Sequence, residues 1–229
     1  FFIIFHFIFA ILTLYISLEM TQILKYKGDL DAAALEAIER KKILGLDSEA
    51  EGLKIPHFHK MSLIQIFDGD KVYIIQPNRE NYSCPNIVKI LENEKIQKVF
   101  HYARFDCSAL EFFLKAEIKN LFCTKISSKL IRGYSQSHGL KDLVFEFCGQ
   151  KKLDKRFGSS DWNKNLDDLS DAQLKYAAND TIYLIQIRDQ LYDMMKREKK
   201  LDIYDNLIFG LKTRIKLDQM GISEDLYQH

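Results

Sequence analysis

The chain has 229 residues, 47% of them hydrophobic, with only 3 prolines and 10 glycines. That suits one large domain with a real core and argues against long linkers or low-complexity tracts. The formal net charge of +1 gives no global basic excess to mark a nucleic-acid binder, and the four cysteines (Cys84, Cys107, Cys123, Cys148) have no zinc-site spacing and read as reduced thiols of a cytoplasmic protein.

Phe1 to Leu18 carries no charged residue and is long enough to be a membrane span or a signal. It has no basic start and no small-residue cleavage site. The reading preferred here is an upstream or hydrophobic segment over 1–19, with the functional chain starting at Met20. The alternative is a genuine membrane anchor. From there the apolar pattern predicts strands at 22–26, 42–48, 61–67, 71–76 and 97–101, and a short one near 121–124. Helices are predicted over 30–40, 85–93 and 105–116, and from 125, 139, 170 and 206. Gly69-Asp70 between two alternating apolar runs predicts a tight hairpin turn. Residues 170–196 hold no proline or glycine and read as one helix or nearly so, opened by a capping box at Ser170-Asp171-Ala172-Gln173. The stretch 151–165 lacks periodicity and reads as a loop. Strands followed by alternating strand–helix units predict an α/β sheet with helices on both faces.

Three acidic clusters stand out: Asp47-Ser48-Glu49, His101-Tyr102-Ala103-Arg104-Phe105-Asp106, and Tyr176-Ala177-Ala178-Asn179-Asp180. Asp47 and Glu49, two apart at the end of an apolar strand, project from one face and repel unless a cation lies between them. Tyr176 and Asp180, four apart on a helix, share a face. Asp106 sits in the first turn of a helix. Singly, each has a plain reading: a solvated strand end, an amphipathic helix, a helix-dipole partner. Local basic groups (Lys125, Lys129, Arg132 and the run Lys151-Lys152-Leu153-Asp154-Lys155-Arg156) could follow a phosphate backbone or be ordinary solvated surface.

Together the clusters resemble the ribonuclease D branch of the DEDD 3′–5′ exonucleases, in the tyrosine-bearing form. Asp47-Ser48-Glu49-Ala50-Glu51-Gly52-Leu53 resembles the first motif, with Ser48 where Thr is usual. Met61-Ser62-Leu63-Ile64-Gln65-Ile66 resembles the second strand. Ser160-Asp161-Trp162, Leu169, Gln173 and Tyr176 to Asp180 resemble the third motif. The likeness runs from about Gln22 to Gln190 and is nearest to the small single-domain proteins of alphaproteobacteria. Tyr102 and Cys123 depart from the Asn and Asp common in the wider family.

The resemblance implies a ribonuclease H-like fold with a mixed five-stranded sheet, the first three strands antiparallel. It implies one exonuclease domain over 20–229 with a C-terminal helical extension and no HRDC domain. It further implies two divalent cations, Mg²⁺ or Mn²⁺, held by Asp47, Glu49, Asp106 and Asp180. Tyr176 would position the attacking water, and Leu53, His101 and Tyr102 would contact substrate. The expected substrate is a single-stranded 3′ end, RNA before DNA, with nucleoside 5′-monophosphates as products. A DNA-directed exonuclease and a non-catalytic nucleic-acid-binding module on the same fold are the alternatives, and no oligomeric state is implied.

Overall fold

The computed structural model describes residues 21–51, 60–154 and 160–222. Its elements run β1 (Gln22–Lys27), α1 (Ala32–Glu39), β2 (Ile43–Glu51), β3 (Lys60–Phe67), β4 (Lys71–Gln76), α2 (Pro85–Glu92), β5 (Gln97–Phe100), α3 (Ala103–Leu114), β6 (Leu121–Cys123), α4 (Thr124–Ile131) and α5 (Leu140–Phe147). A 3₁₀ turn (Leu166–Asp168) then leads to α6 (Asp171–Ile182), α7 (Leu184–Arg197) and α8 (Leu201–Gln219). The segment 1–19 and Leu53 lie outside the described residues. Among those described, no helix is long and apolar enough to cross a membrane.

Local chemistry sets many boundaries. Asp31 caps α1 by accepting from the Ala34 N–H at 2.7 Å. Pro85 opens α2. The capping box forms at the start of α6, where Ser170 and Gln173 satisfy each other's backbone. In the β3–β4 turn Gly69 takes φ +98, and Asp68 Oδ1 accepts from the N–H groups of Asp70 at 2.9 Å and Lys71 at 2.8 Å.

The strands form one mixed sheet in the order β1-β4-β3-β2-β5-β6. β3 runs antiparallel to both of its neighbours, β2 and β4, while β5 runs parallel to β2 and β6 parallel to β5. Those five are the expected core. The sheet nevertheless has six strands, because β1 adds in parallel to β4 from Gln22↔Lys71 to Lys27↔Gln76. The first strand in the chain thus sits at an edge, far from β2.

Each face of the sheet has its own apolar layer. Leu44, Leu46, Ile64, Ile66, Tyr73 and Ile75 point into the larger cluster, which also holds residues of α1, α2, α3, α4, α5, α7 and α8. Leu63, Phe67, Val72 and Ile74 point the other way and pack against α6 and Trp162, Leu166 and Leu169 before it. The four cysteines are free and buried.

Two helical boundaries differ from expectation. The helix expected over 170–196 is two helices, divided at Tyr183. The Thr181 hydroxyl donates back to the Ala178 carbonyl at 2.8 Å, a bond that competes with the helical ladder just before the break. The last helix begins at Leu201, not near 206. Lys199 takes φ +55 and closes α7, with the Lys200 N–H bonding the Met195 carbonyl at 2.9 Å, so α8 starts at once.

Candidate active site

The site is built on the C-terminal half of β2 (Ile43–Glu51). Asp47 pairs with Gln65 and Glu49 with Leu63 across the antiparallel ladder, so both carboxylates stand on the α6 face of the sheet. Ser48 pairs with Ile64 and points to the opposite, α3 side. The strand therefore presents acids to one helix and a hydroxyl to the other.

From the α6 face come Tyr176 and Asp180, both buried. The small side chains of Ala177 and Ala178 let this helix lie close on the sheet, and Gly45 completes the approach. A methyl group at Gly45 would fall 2.6 Å from the Thr181 carbonyl oxygen. Burial, then the charge of Asp180 and further charges of Glu49 and Asp47, push the Tyr176 hydroxyl well above its ordinary pKa. Its oxygen thus lies within the field of three of the four predicted acids and stays protonated at neutral pH. Trp162 packs near the Tyr176 ring, with centroids 6.0 Å apart.

From the other face comes Asp106, in the first turn of α3 and 3% exposed. Its Oδ1 accepts from both the Ser48 N–H at 3.0 Å and the Ser48 hydroxyl at 2.8 Å. Burial raises its pKa to about 7, against the Ser48 hydrogen bonds that lower it, and the charge of Asp180 adds to the rise. Asp180 thus faces both Tyr176 and Asp106 and links the two halves of the site.

The predicted residues Asp47, Glu49, Asp106, Tyr176 and Asp180 are brought together. Four carboxylates, two buried and two half-buried, are a hard-oxygen donor set of the kind that suits Mg²⁺ or Mn²⁺, and their mutual repulsion is what a cation relieves. Among the described residues the acids do not close into a cage of three ligands around one point.

His101 and Tyr102 flank the start of α3. The His101 Nδ1 is 2.9 Å from the Thr124 hydroxyl, which also lies 3.2 Å from the Phe100 carbonyl oxygen. Tyr102 holds φ +66 and is 45% exposed, with the Lys125 ammonium 4.3 Å from its ring centre. Leu53, the third predicted substrate contact, lies outside the described residues.

Arg132 does not serve a phosphate track. It is buried, donates to Ser128 Oγ at 2.8 Å and the Ser137 carbonyl at 3.0 Å, and is ion-paired with Glu146. Three contributors escaped the sequence reading. Ser48 anchors Asp106, Gly45 admits α6, and Arg79 holds the loop of Trp162 through the carbonyls of Asn163 at 2.7 Å and Trp162 at 3.1 Å. The first was visible only as a Ser in place of Thr. The other two had no signal apart from the packing.

The 3′–5′ exonuclease family matches the chain over residues 25–196. Ribonuclease D of Shewanella sp. (strain ANA-3) is 30% identical over 178 residues, 75% of this chain and 44% of that protein. DNA polymerase I of Aquifex aeolicus is 32% identical over 203 residues, 84% of this chain and 32% of that protein. The chain thus spans less than half the length of these two relatives. Among solved structures, Brucella melitensis NrnC with bound Mg²⁺ is similar at TM-score 0.82 and 32% identity, over 91% of this chain and 100% of that one. The same protein bound to pGG gives TM-score 0.83 over 91% and 99% of the two chains. The match spans the strands and helices that carry all five converging side chains, and on that ground the chain belongs to the 3′–5′ exonuclease family.

Proposed function

We propose that this chain is a metal-dependent exonuclease that hydrolyses RNA from its 3′ end and releases nucleoside 5′-monophosphates. The observation that carries the reading is the convergence of Asp47 and Glu49 from β2, Tyr176 and Asp180 from α6, and Asp106 from α3 at the C-terminal half of β2. A binding module for a polyanion gains nothing from such clustered negative charge.

Asp47, Glu49, Asp106 and Asp180 would hold two divalent cations, Mg²⁺ or Mn²⁺. When bound, such ions lower the pKa of a water nucleophile and stabilise a leaving 3′ oxygen. Tyr176 orients the water through its protonated hydroxyl and is not a base, since its neighbours keep the proton on. His101 approaches the phosphate, with its ring orientation fixed by Thr124. The exposed Tyr102 ring offers a stacking surface for a base, and Leu53 would wedge against the terminal base. Water attack breaks the bond from phosphorus to the 3′ oxygen of the penultimate nucleotide, so the phosphate leaves with the terminal nucleoside.

The Mg²⁺ and pGG seen in Brucella melitensis NrnC support the metal and the nucleotide ligand. The ribonuclease D relatives favour RNA, while the polymerase relative favours DNA as the second reading. Four free, buried cysteines support a cytoplasmic setting. We also propose 20–229 as a single catalytic domain.

The test is digestion of matched 3′-labelled and 5′-labelled RNA and DNA, with and without Mg²⁺ or Mn²⁺. Stepwise loss from the 3′ end, abolished by chelator and by Asp47→Ala or Asp180→Ala in a folded protein, is the expected outcome. Cutting of a circular substrate, or full activity in excess chelator, would overturn it.

A further inference from the structure

Gln65 is fully buried on β3, and neither its Nε2 nor its Oε1 has a hydrogen-bond partner among the described residues. Its strand neighbours Leu63 and Phe67 belong to the apolar layer beneath α6, so Gln65 shares that face. A carboxamide in such a layer is costly unless its donors and acceptor are met. Across the ladder it stands directly opposite Asp47. Glu49 is opposite the apolar Leu63, so β3 offers its amide to only one of the two β2 acids.

Directly opposed side chains on antiparallel strands have Cβ atoms roughly 4.5–5.5 Å apart. A glutamine amide spans that gap to an aspartate carboxylate. We infer that Gln65 is a positioning residue for Asp47: its Nε2–H donates to the Asp47 carboxylate when that carboxylate turns to ligate a cation. Carboxylates that bind metals are themselves hydrogen-bonded, and those outer partners fix the orientation in which the oxygen reaches the ion. The amide contributes a donor without adding charge to a site already crowded with acids. This inference rests on the metal-dependent reading of the site.

The test is Gln65→Met, which keeps length and apolar fit but removes the donor, with Gln65→Leu as the second variant. Mn²⁺ binding is measured by calorimetry on the full chain without substrate, beside thermal unfolding and the Mn²⁺ dependence of turnover. The expected result is a protein at least as heat-stable as the parent in metal-free buffer, because a buried amide has gone. Its Mn²⁺ affinity should fall roughly 10- to 100-fold, and turnover should recover at raised Mn²⁺. A variant that binds Mn²⁺ as the parent does and needs no more of it for turnover would overturn the inference and leave the metal-dependent reading intact. Failure of both variants to fold would also overturn it, since the amide would then serve the core. A parent chain that binds no Mn²⁺ and works without it would overturn the underlying reading.

Discussion

Ser48 and Asp106 are joined twice, by the backbone N–H at 3.0 Å and the hydroxyl at 2.8 Å, both to the same carboxylate oxygen. Their side chains meet on the α3 side of β2, while the acids flanking Ser48 in sequence face α6. The residue between the two acids of the first motif therefore fixes the acid of the second.

Ser48→Ala removes one hydrogen bond to a buried carboxylate and leaves the backbone one. The loss of stability should be about 1.5–3 kcal/mol, read from urea unfolding. Turnover should fall as Asp106 loses its orientation. Ser48→Thr keeps the hydroxyl and should retain most of both. Equal behaviour of the Ala and Thr variants would show that the hydroxyl contributes nothing.

Tyr176→Phe keeps the ring against Trp162 and deletes the hydroxyl. Turnover should drop on the order of 10²-fold, the scale of a mispositioned reactant. Mn²⁺ affinity and melting temperature should change little. Unchanged turnover in single-turnover kinetics would remove Tyr176 from the chemistry.

Gly45→Ala forces a methyl group to 2.6 Å from the Thr181 carbonyl, and neither strand nor helix backbone yields cheaply. Overpacking of this kind costs about 1–3 kcal/mol. Because Thr181 follows Asp180, turnover should fall together with stability. A variant with lowered stability but normal turnover at low temperature would show that α6 tolerates the shift.

Lys98 gives a pH signature remote from the site. It is fully buried, donates to the carbonyls of Asn93 at 2.6 Å and Ile96 at 2.7 Å, and burial lowers its pKa from 10.5 to about 8. Between those values the unfolded chain binds the proton and the folded chain releases it, so this residue makes stability rise as pH climbs from about 8 to 10.5. Unfolding of the parent and of Lys98→Met across that range should diverge in slope, with the Met variant flatter. Identical slopes would mean that Lys98 keeps its proton in the fold.

The strands, the hairpin at Gly69 and the capping box at Ser170 were legible because each depends on chemistry a few residues wide. The acids of the site were legible because spacing on a strand or helix places them on one face, and the resemblance supplied their grouping. What escaped depends on approach across the chain. Nothing local marks Gly45 as the place where a helix carbonyl arrives, or Gln65 as an amide set among apolar neighbours. The division at Tyr183 had no glycine or proline to announce it. Lys199 adopts a left-handed conformation that most sequences give to glycine, so the early start of α8 was hidden as well. β1 was correctly read as a strand, but its pairing with β4 at the edge cannot be read from its own pattern.

The two arms of the site enter from opposite faces of the sheet, and α6 is synthesised long after β2. Asp47 and Glu49 leave the ribosome with no Tyr176 or Asp180 to meet them. Until α6 emerges and lies across β2, β3 and β4, the strand carries a pair of acids without their partners. Under the proposed function, assembly in this order means that exonuclease activity appears only once α6 has docked, so its onset reads out completed folding.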